Sequence, residues 1–314
     1  MGLLSPSRGD AVAHAPCCSV IMDPCRMRMA PRIEDSVIAS HENPEGRPRG
    51  PRSWPDHARL VKTGSEMDSK KAADDWTSFD ERQLAYHTTQ WKNPKESTKA
   101  FEAFIAHRLD GSRRIIDLGA GTGAATAFLA GRHPATDFVA ADYVSDFLRI
   151  GENVAKNQGL DNLAFRQLDW MEMPETTEFD GVVSLQTLSW LPEPVEPLVQ
   201  VFTKLKPEWF ALTSLFYEGD ISCTISVHEH VTGQRFFYNV YAIPEIRRVC
   251  AEHGYHIAST KRFEIGIDLE KPDNLDAMGT YTRRVVTESS DTIERLQISG
   301  PILMPWHMLL IERS

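Results

Sequence analysis

A short β-branched run, Ile115-Ile116-Asp117-Leu118, leads directly into Gly119-Ala120-Gly121-Thr122-Gly123 and then into the small residues Ala124-Ala125-Thr126-Ala127. Few local structures accommodate a buried strand, glycines at alternate positions and a helix start in such quick succession. Glycine serves where the backbone needs positive φ or where a ligand approaches with no Cβ in the way. A turn from a strand into a helix N-terminus aims backbone N–H groups at a bound small molecule. The run therefore predicts a β–α unit with a ligand-binding turn.

The surrounding acids narrow the ligand. Asp117 stands just before the glycines, and Asp142 ends the next apolar run, Asp137-Phe138-Val139-Ala140-Ala141-Asp142. A dinucleotide fingerprint needs a third spaced glycine, and Ala124 and Thr126 follow Gly123 instead. An acid before the glycines would also repel a pyrophosphate, which argues against a nicotinamide oxidoreductase. No G-x-x-x-x-G-K-[ST] motif is present, which removes a P-loop. A cationic, phosphate-free ligand carrying a ribose suits this loop better, and S-adenosylmethionine is such a ligand.

At these residues the chain resembles the class I S-adenosylmethionine-dependent methyltransferases, over roughly residues 94–215. Ile115–Gly123 is similar to the family's first motif. The resemblance implies that Asp117, Gly119, Ala120, Gly121 and Gly123 belong to the cofactor site. It implies that Asp142 accepts from the ribose hydroxyls, with Tyr143 beside it. Asp169-Trp170, after the run Leu163–Leu168, resembles the adenine position, where the acid takes the exocyclic amine and the next side chain covers a ring face. Phe179–Gln186 resembles the fourth strand, with Gln186 at its active-site end. Leu205-Lys206-Pro207 resembles the turn before strand five, although Glu208-Trp209 stands where the family usually has two glycines.

Alternation of apolar strands and amphipathic stretches predicts an α/β fold, doubly wound on a mostly parallel sheet, Rossmann-like, with ligands at the carboxyl ends of the strands. Helices are expected over 94–109, 124–132, 145–158 (capped by Ser145 and stopped by Gly159), 195–205 and 244–253. Strands are expected over 114–118, 137–142, 163–168, 181–185 and 209–215. Two β-hairpin insertions interrupt the pattern, at about 216–242, turning at Thr232-Gly233, and 266–300. Residues 302–311 read as a terminal strand.

The first 66 residues differ from the rest. They hold eight of the 19 prolines and nine lysines and arginines against eight acids, leaving −11 of the net −10 on the remainder. Such a segment cannot bury enough apolar surface to offset chain entropy, so 1–66 is expected to be a disordered tail and 67–314 the methyltransferase domain, with Met67 a candidate functional start. The acidic balance argues against nucleic acid as partner, and no apolar run is long enough for a membrane span. A cytoplasmic location is expected. Cys17, Cys18, Cys25 and His14 match no zinc spacing, so no metal is expected, and Cys223 and Cys250 read as small apolar fillers.

Catalytic candidates lie outside the cofactor motifs. His228 and His230 alternate on one predicted strand face, as a base or as a solvated polar face. Tyr238 and Tyr241 follow, as pocket or core residues. Trp91 is placed either to shield the sulfonium by cation–π contact or to pack an N-terminal helix on the sheet. The function expected is methyl transfer to a small-molecule hydroxyl or amine. The alternative is a non-catalytic S-adenosylmethionine-binding regulatory or partner protein, favoured by the lack of an obvious base.

Overall fold

The structure is a computed structural model that describes residues 81–231, 233–273, 279–286 and 293–314. The tail expected over 1–66 and the candidate start Met67 lie outside the described residues. In chain order the elements are α1 (Glu81–Lys92), α2 (Glu96–Leu109), β1 (Arg114–Leu118), α3 (Ala124–Arg132), β2 (Asp137–Asp142), α4 (Ser145–Gln158), β3 (Leu163–Gln167), β4 (Gly181–Leu185), α5 (Val195–Gln200), β5 (Trp209–Tyr217), β6 (Ser226–His228), β7 (Arg235–Phe237), β8 (Tyr241–Ala242), α6 (Ile243–Glu252), β9 (Tyr255–Arg262), β10 (Thr280–Val286), β11 (Ile293–Ser299), β12 (Ile302–Leu303) and β13 (Trp306–Arg313).

The central sheet runs β3-β2-β1-β4-β5-β13-β9, with β8 pairing the end of β5. Strands β1 to β5 are mutually parallel, and β13 runs antiparallel to both of its neighbours. Successive strand side chains point to opposite faces, so each strand feeds two cores. Ile115 joins Phe101, Ile105 and Leu109 of α2 and Leu129 of α3 on one face. Ile116 and Leu118 join Leu198 of α5 and Ile246 and Val249 of α6 on the other. Helices thus cover both faces, as the alternation predicts, and the loops at the carboxyl edge are left to form a site.

Several boundaries differ from expectation. Ser145 is the first residue of α4, and Val144 is its N-cap, with no side-chain cap bond. The helix expected over 195–205 is α-helical only to Gln200 and π-helical over Val201–Leu205. The terminal strand is two strands, because Pro305 stands between the short β12 and β13 and removes a ladder donor. Strand β9 was not foreseen: of its residues only Tyr255 is buried, so this edge strand carries no two-residue apolar alternation. Cys250 is buried, but Cys223 is exposed and fills no core space.

The insertions form small sheets of their own. β6 and β7 make an antiparallel hairpin, whose predicted turn includes Thr232, outside the described residues. β10, β11 and β12 form a three-stranded sheet. Its register sets Arg284 directly opposite Arg295, a like-charge pair. Asp268 answers the repulsion by accepting hydrogen bonds from both guanidinium groups, which holds its carboxyl well below the usual range.

The strand-five turn is solved without the family's glycines. Trp209 is buried, and its indole N–H donates to Ser112 Oγ at 3.0 Å. Its ring lies over Gly181 of the neighbouring strand, where an added Cβ would come within 2.2 Å of Trp209 Cζ2. Gly181→Ala is expected to destabilise the fold by ~1–3 kcal/mol through overpacking. Urea unfolding measures this, and an unchanged midpoint would show that Trp209 is not held against Gly181.

Candidate functional site

The turn after β1 is built as its sequence requires. Gly119, Gly121 and Gly123 all have positive φ, at 73°, 58° and 75°. The N–H groups of Gly119 and Ala120 both donate to Ala141 O, at 2.9 and 3.0 Å, which fixes the loop to the end of β2. Asp142 completes the brace. One carboxylate oxygen accepts from Gly121 N at 2.7 Å and the other from Val144 N at 2.9 Å. Burial lifts its pKa above the usual carboxylate value, opposed by N–H donors from Val144, Gly121 and Tyr143. The Tyr143 side chain beside it is exposed.

Asp117 is buried, 1% exposed, at the end of β1. Its Oδ2 accepts from Thr126 Oγ1 at 2.6 Å, whereas its Oδ1 has no hydrogen-bond partner. Burial pushes its pKa up to about 7, with the Thr126 hydroxyl opposing and the Asp142 charge adding. The hydrogen bonds that these two acids accept all come from neutral donors. The loop therefore presents negative charge and an orphaned acceptor, while Thr187, His87 and Phe165 fill the space that a Cβ would take at Gly119, Gly121 and Gly123.

The predicted adenine pair separates. Asp169 is half-buried and accepts from Met171 N at 2.8 Å. Trp170 does not stand at a ring face. It is 6% exposed, donates Nε1–H to Pro197 O at 2.8 Å and packs edge-on to Phe210 in the core beneath α5 and α6. The reason is the alternation of side chains past the end of β3, which turns Trp170 inward.

Helix α1 covers the loop. Trp91 Nε1 donates to Thr122 Oγ1 at 3.1 Å, so this ring is tied to the loop itself. His87, one turn earlier, lies against Phe147 with ring centroids 4.6 Å apart, and its Cε1 would stand 3.1 Å from a Cβ on Gly121. Burial, and secondarily Lys95, lower its pKa to about 4. The sequence reading missed His87, although His87 and Trp91 lie four apart on one helix face.

The exit of β4 meets the same edge. Gln186 has φ 63°, a strained left-handed conformation for a non-glycine residue. Lys95 Nζ donates to its Oε1 at 3.1 Å, and its Nε2 donates to Ser97 Oγ at 2.8 Å. Thr187 Oγ1 donates to Gly119 O at 3.1 Å, joining this exit to the glycine loop.

The catalytic candidates of the first insertion are not brought to the loop by any contact described. His228 and His230 are exposed, and their rings lie tilted against each other with centroids 4.2 Å apart. Tyr238 is 3% exposed, and its hydroxyl donates to Met304 Sδ at 3.7 Å. Tyr241 is a core residue whose hydroxyl donates to Leu191 O at 2.7 Å. Among the described residues no group of three or more His, Cys, Asp or Glu could hold a metal, and no helix is long and apolar enough to cross a membrane.

Comparison with known proteins gives these features a family. Residues 109–262 match the family described as a methyltransferase domain. The trans-aconitate 2-methyltransferase of Mycobacterium tuberculosis is 34% identical over 105 residues, covering 33% of this chain and 38% of that protein. The release factor glutamine methyltransferase of Aliivibrio fischeri is 30% identical over 90 residues, covering 28% and 32%. The match therefore spans about a third of these relatives. Among solved structures, the YcgJ protein of Bacillus subtilis has a TM-score of 0.46 at 12% identity, covering 69% of this chain and 99% of that one.

Asp117 makes a pH prediction. Below its ordinary value of 3.8, folded and unfolded chains both hold the proton; between 3.8 and about 7 only the folded chain keeps it, so stability falls as pH rises through that window. Asp117→Asn is expected to gain on the wild type by about 2–4 kcal/mol between pH 4 and pH 8. Chemical denaturation across that range tests it; parallel pH curves for the two proteins would contradict it.

Proposed function

Since the chain belongs to the class I S-adenosylmethionine-dependent methyltransferases, we propose that it transfers a methyl group from S-adenosylmethionine to a hydroxyl or amine of a small molecule. The observation that carries this reading is the pair of acids at the glycine loop, the buried Asp117 with an unpartnered oxygen and the half-buried Asp142 bridging Gly121 and Val144. These residues fit a ligand that combines positive charge with a ribose. When bound, the cofactor would supply a methyl group on a cationic sulfur; the acceptor's lone pair would form the new bond to that carbon, the sulfur would leave as a neutral thioether, and the acceptor's proton would pass to solvent.

The chain's part is to bind, orient and exclude water. Asp142 holds the ribose, since a carboxylate has about four lone-pair sites and its N–H donors from Gly121, Val144 and Tyr143 do not use them all. Asp169 takes the adenine amine, and Tyr143 flanks the ribose. The backbone at Gly119, Ala120, Gly121 and Gly123 lies against the ligand, and Asp117 offsets its charge. Trp91 and Gln186 close the methionine end, with Trp170 supporting the site from the core. His87 is neutral at pH 7, because its pKa of about 4 lies well below that pH. In-line displacement gains most from such positioning. Residues 67–314 form the methyltransferase unit in this reading, with the insertions at 216–242 and 266–300 on the acceptor side.

Two measurements test it. Asp142→Ala is expected to weaken S-adenosylmethionine binding at least ~10-fold, since each charge-assisted hydrogen bond is worth ~1.5–3 kcal/mol. Calorimetric titration reads this, and unchanged affinity would remove Asp142 from the site. Methyl-labelled S-adenosylmethionine offered with a panel of phenols and amines is expected to label an acceptor. Binding without any transfer would favour the regulatory alternative.

A further inference from the structure

A third apolar group lies apart from the two main cores. It consists of Leu215, Tyr238, Met304 and Trp306, with Trp190 and Phe263 packed against it. Trp306 stands opposite Leu215 near the carboxyl end of β5, and Trp190 ends the 3-10 turn that follows β4. The Trp190 ring lies 4.7 Å from Tyr238 and 5.2 Å from Phe236 between centroids. Trp306, Met308 and Leu310 alternate on one strand face, the face covered by α2. Leu185 packs on that same core just before Gln186. Gln186, whose Nε2 donates to Ser97 Oγ of α2, lies on that side as well, so the aromatic group and the strained Gln186 share one face at the cofactor edge.

Within this group one donor is unanswered. Trp306 is 3% exposed, and its indole N–H has no hydrogen-bond partner. An indole nitrogen can only donate. Trp91, Trp170 and Trp209 each donate to a defined acceptor. The nearby hydroxyls are committed elsewhere: Tyr238 to Met304 Sδ, and Ser189 and Ser214 to each other and to backbone. The wall itself is firmly held. Asn239, fully buried, accepts from Ile225 N and donates to Leu191 O and Tyr241 Oη, pinning the insertion to the β4 exit.

Resting on the methyl-transfer reading above, we propose that Trp190, Phe236, Tyr238 and Trp306 form the acceptor-binding wall, and that the Trp306 indole N–H donates to an oxygen lone pair of a planar, mostly apolar acceptor. Flat rings pack on such a wall by offset or edge contacts. An oxygen beside the ring supplies the missing acceptor, which a hydrocarbon cannot.

The test uses the full chain with 15N-labelled tryptophan and saturating S-adenosylhomocysteine. The Trp306 indole signal is identified by its absence in Trp306→Phe, or by its displacement in Met304→Leu should the first variant fail to fold. Acetophenone, with a flat ring and a carbonyl, is expected to shift that signal saturably and to bind about fivefold more weakly to Trp306→Phe. Toluene is expected to bind both proteins alike. No acetophenone shift at Trp306, or equal acetophenone affinity for the variant, overturns the proposal. Calorimetry of S-adenosylhomocysteine alone separates the two readings: failure of the wild type to bind it would defeat methyl transfer itself, whatever Trp306 does.

Discussion

Asp142 ties three elements together at the working edge of the sheet. Its two oxygens accept from Gly121 in the loop after β1 and from Val144 at the start of α4, while Gly119 and Ala120 donate to the adjacent Ala141 carbonyl. Three left-handed glycines allow this close approach. The consequence reaches further, because Thr187 bonds Gly119 O and Trp91 bonds Thr122. The β4 exit and helix α1 are thus positioned through the loop that Asp142 braces.

The same arrangement concentrates charge where the fold can least solvate it. Asp117 sits buried behind the glycines with one oxygen unpartnered, and Asp142 adds to its burden. Opposite them Lys95 reaches the β4 exit, and His87 is kept neutral by burial and by that lysine. A site that is negative on its loop side and closed by a neutral ring suits a cationic ligand held out of water. Stability lost at Asp117 is the counterpart of that fit, since strained or poorly solvated groups persist only where the surrounding structure over-determines them.

Much of this was legible in the sequence. The loop Gly119–Gly123, the acid at Asp142 and the parallel alternation followed from residue spacing, because strand and helix periods and glycine geometry are local properties. Tertiary choices were not legible. Trp170 was read as a ring cover, and its neighbour Pro197 O, distant in sequence, claims its N–H instead. Gly181 is an ordinary strand start in the sequence, and only the fold sets Trp209 over it. Strand β9 carried no pattern, because its outer face is exposed. Tyr238 stands in an aromatic run, Phe236-Phe237-Tyr238, yet its partners Trp190 and Met304 come from distant segments. His87 required knowing that α1 folds back over the loop.

The most direct measurement is a crystal structure of the chain with S-adenosylhomocysteine. The account predicts the ribose hydroxyls within hydrogen-bond distance of the Asp142 carboxylate, with the nucleoside lying along Gly119–Gly123. A ligand bound elsewhere, with Asp142 bonded only to Gly121 and Val144, would contradict it.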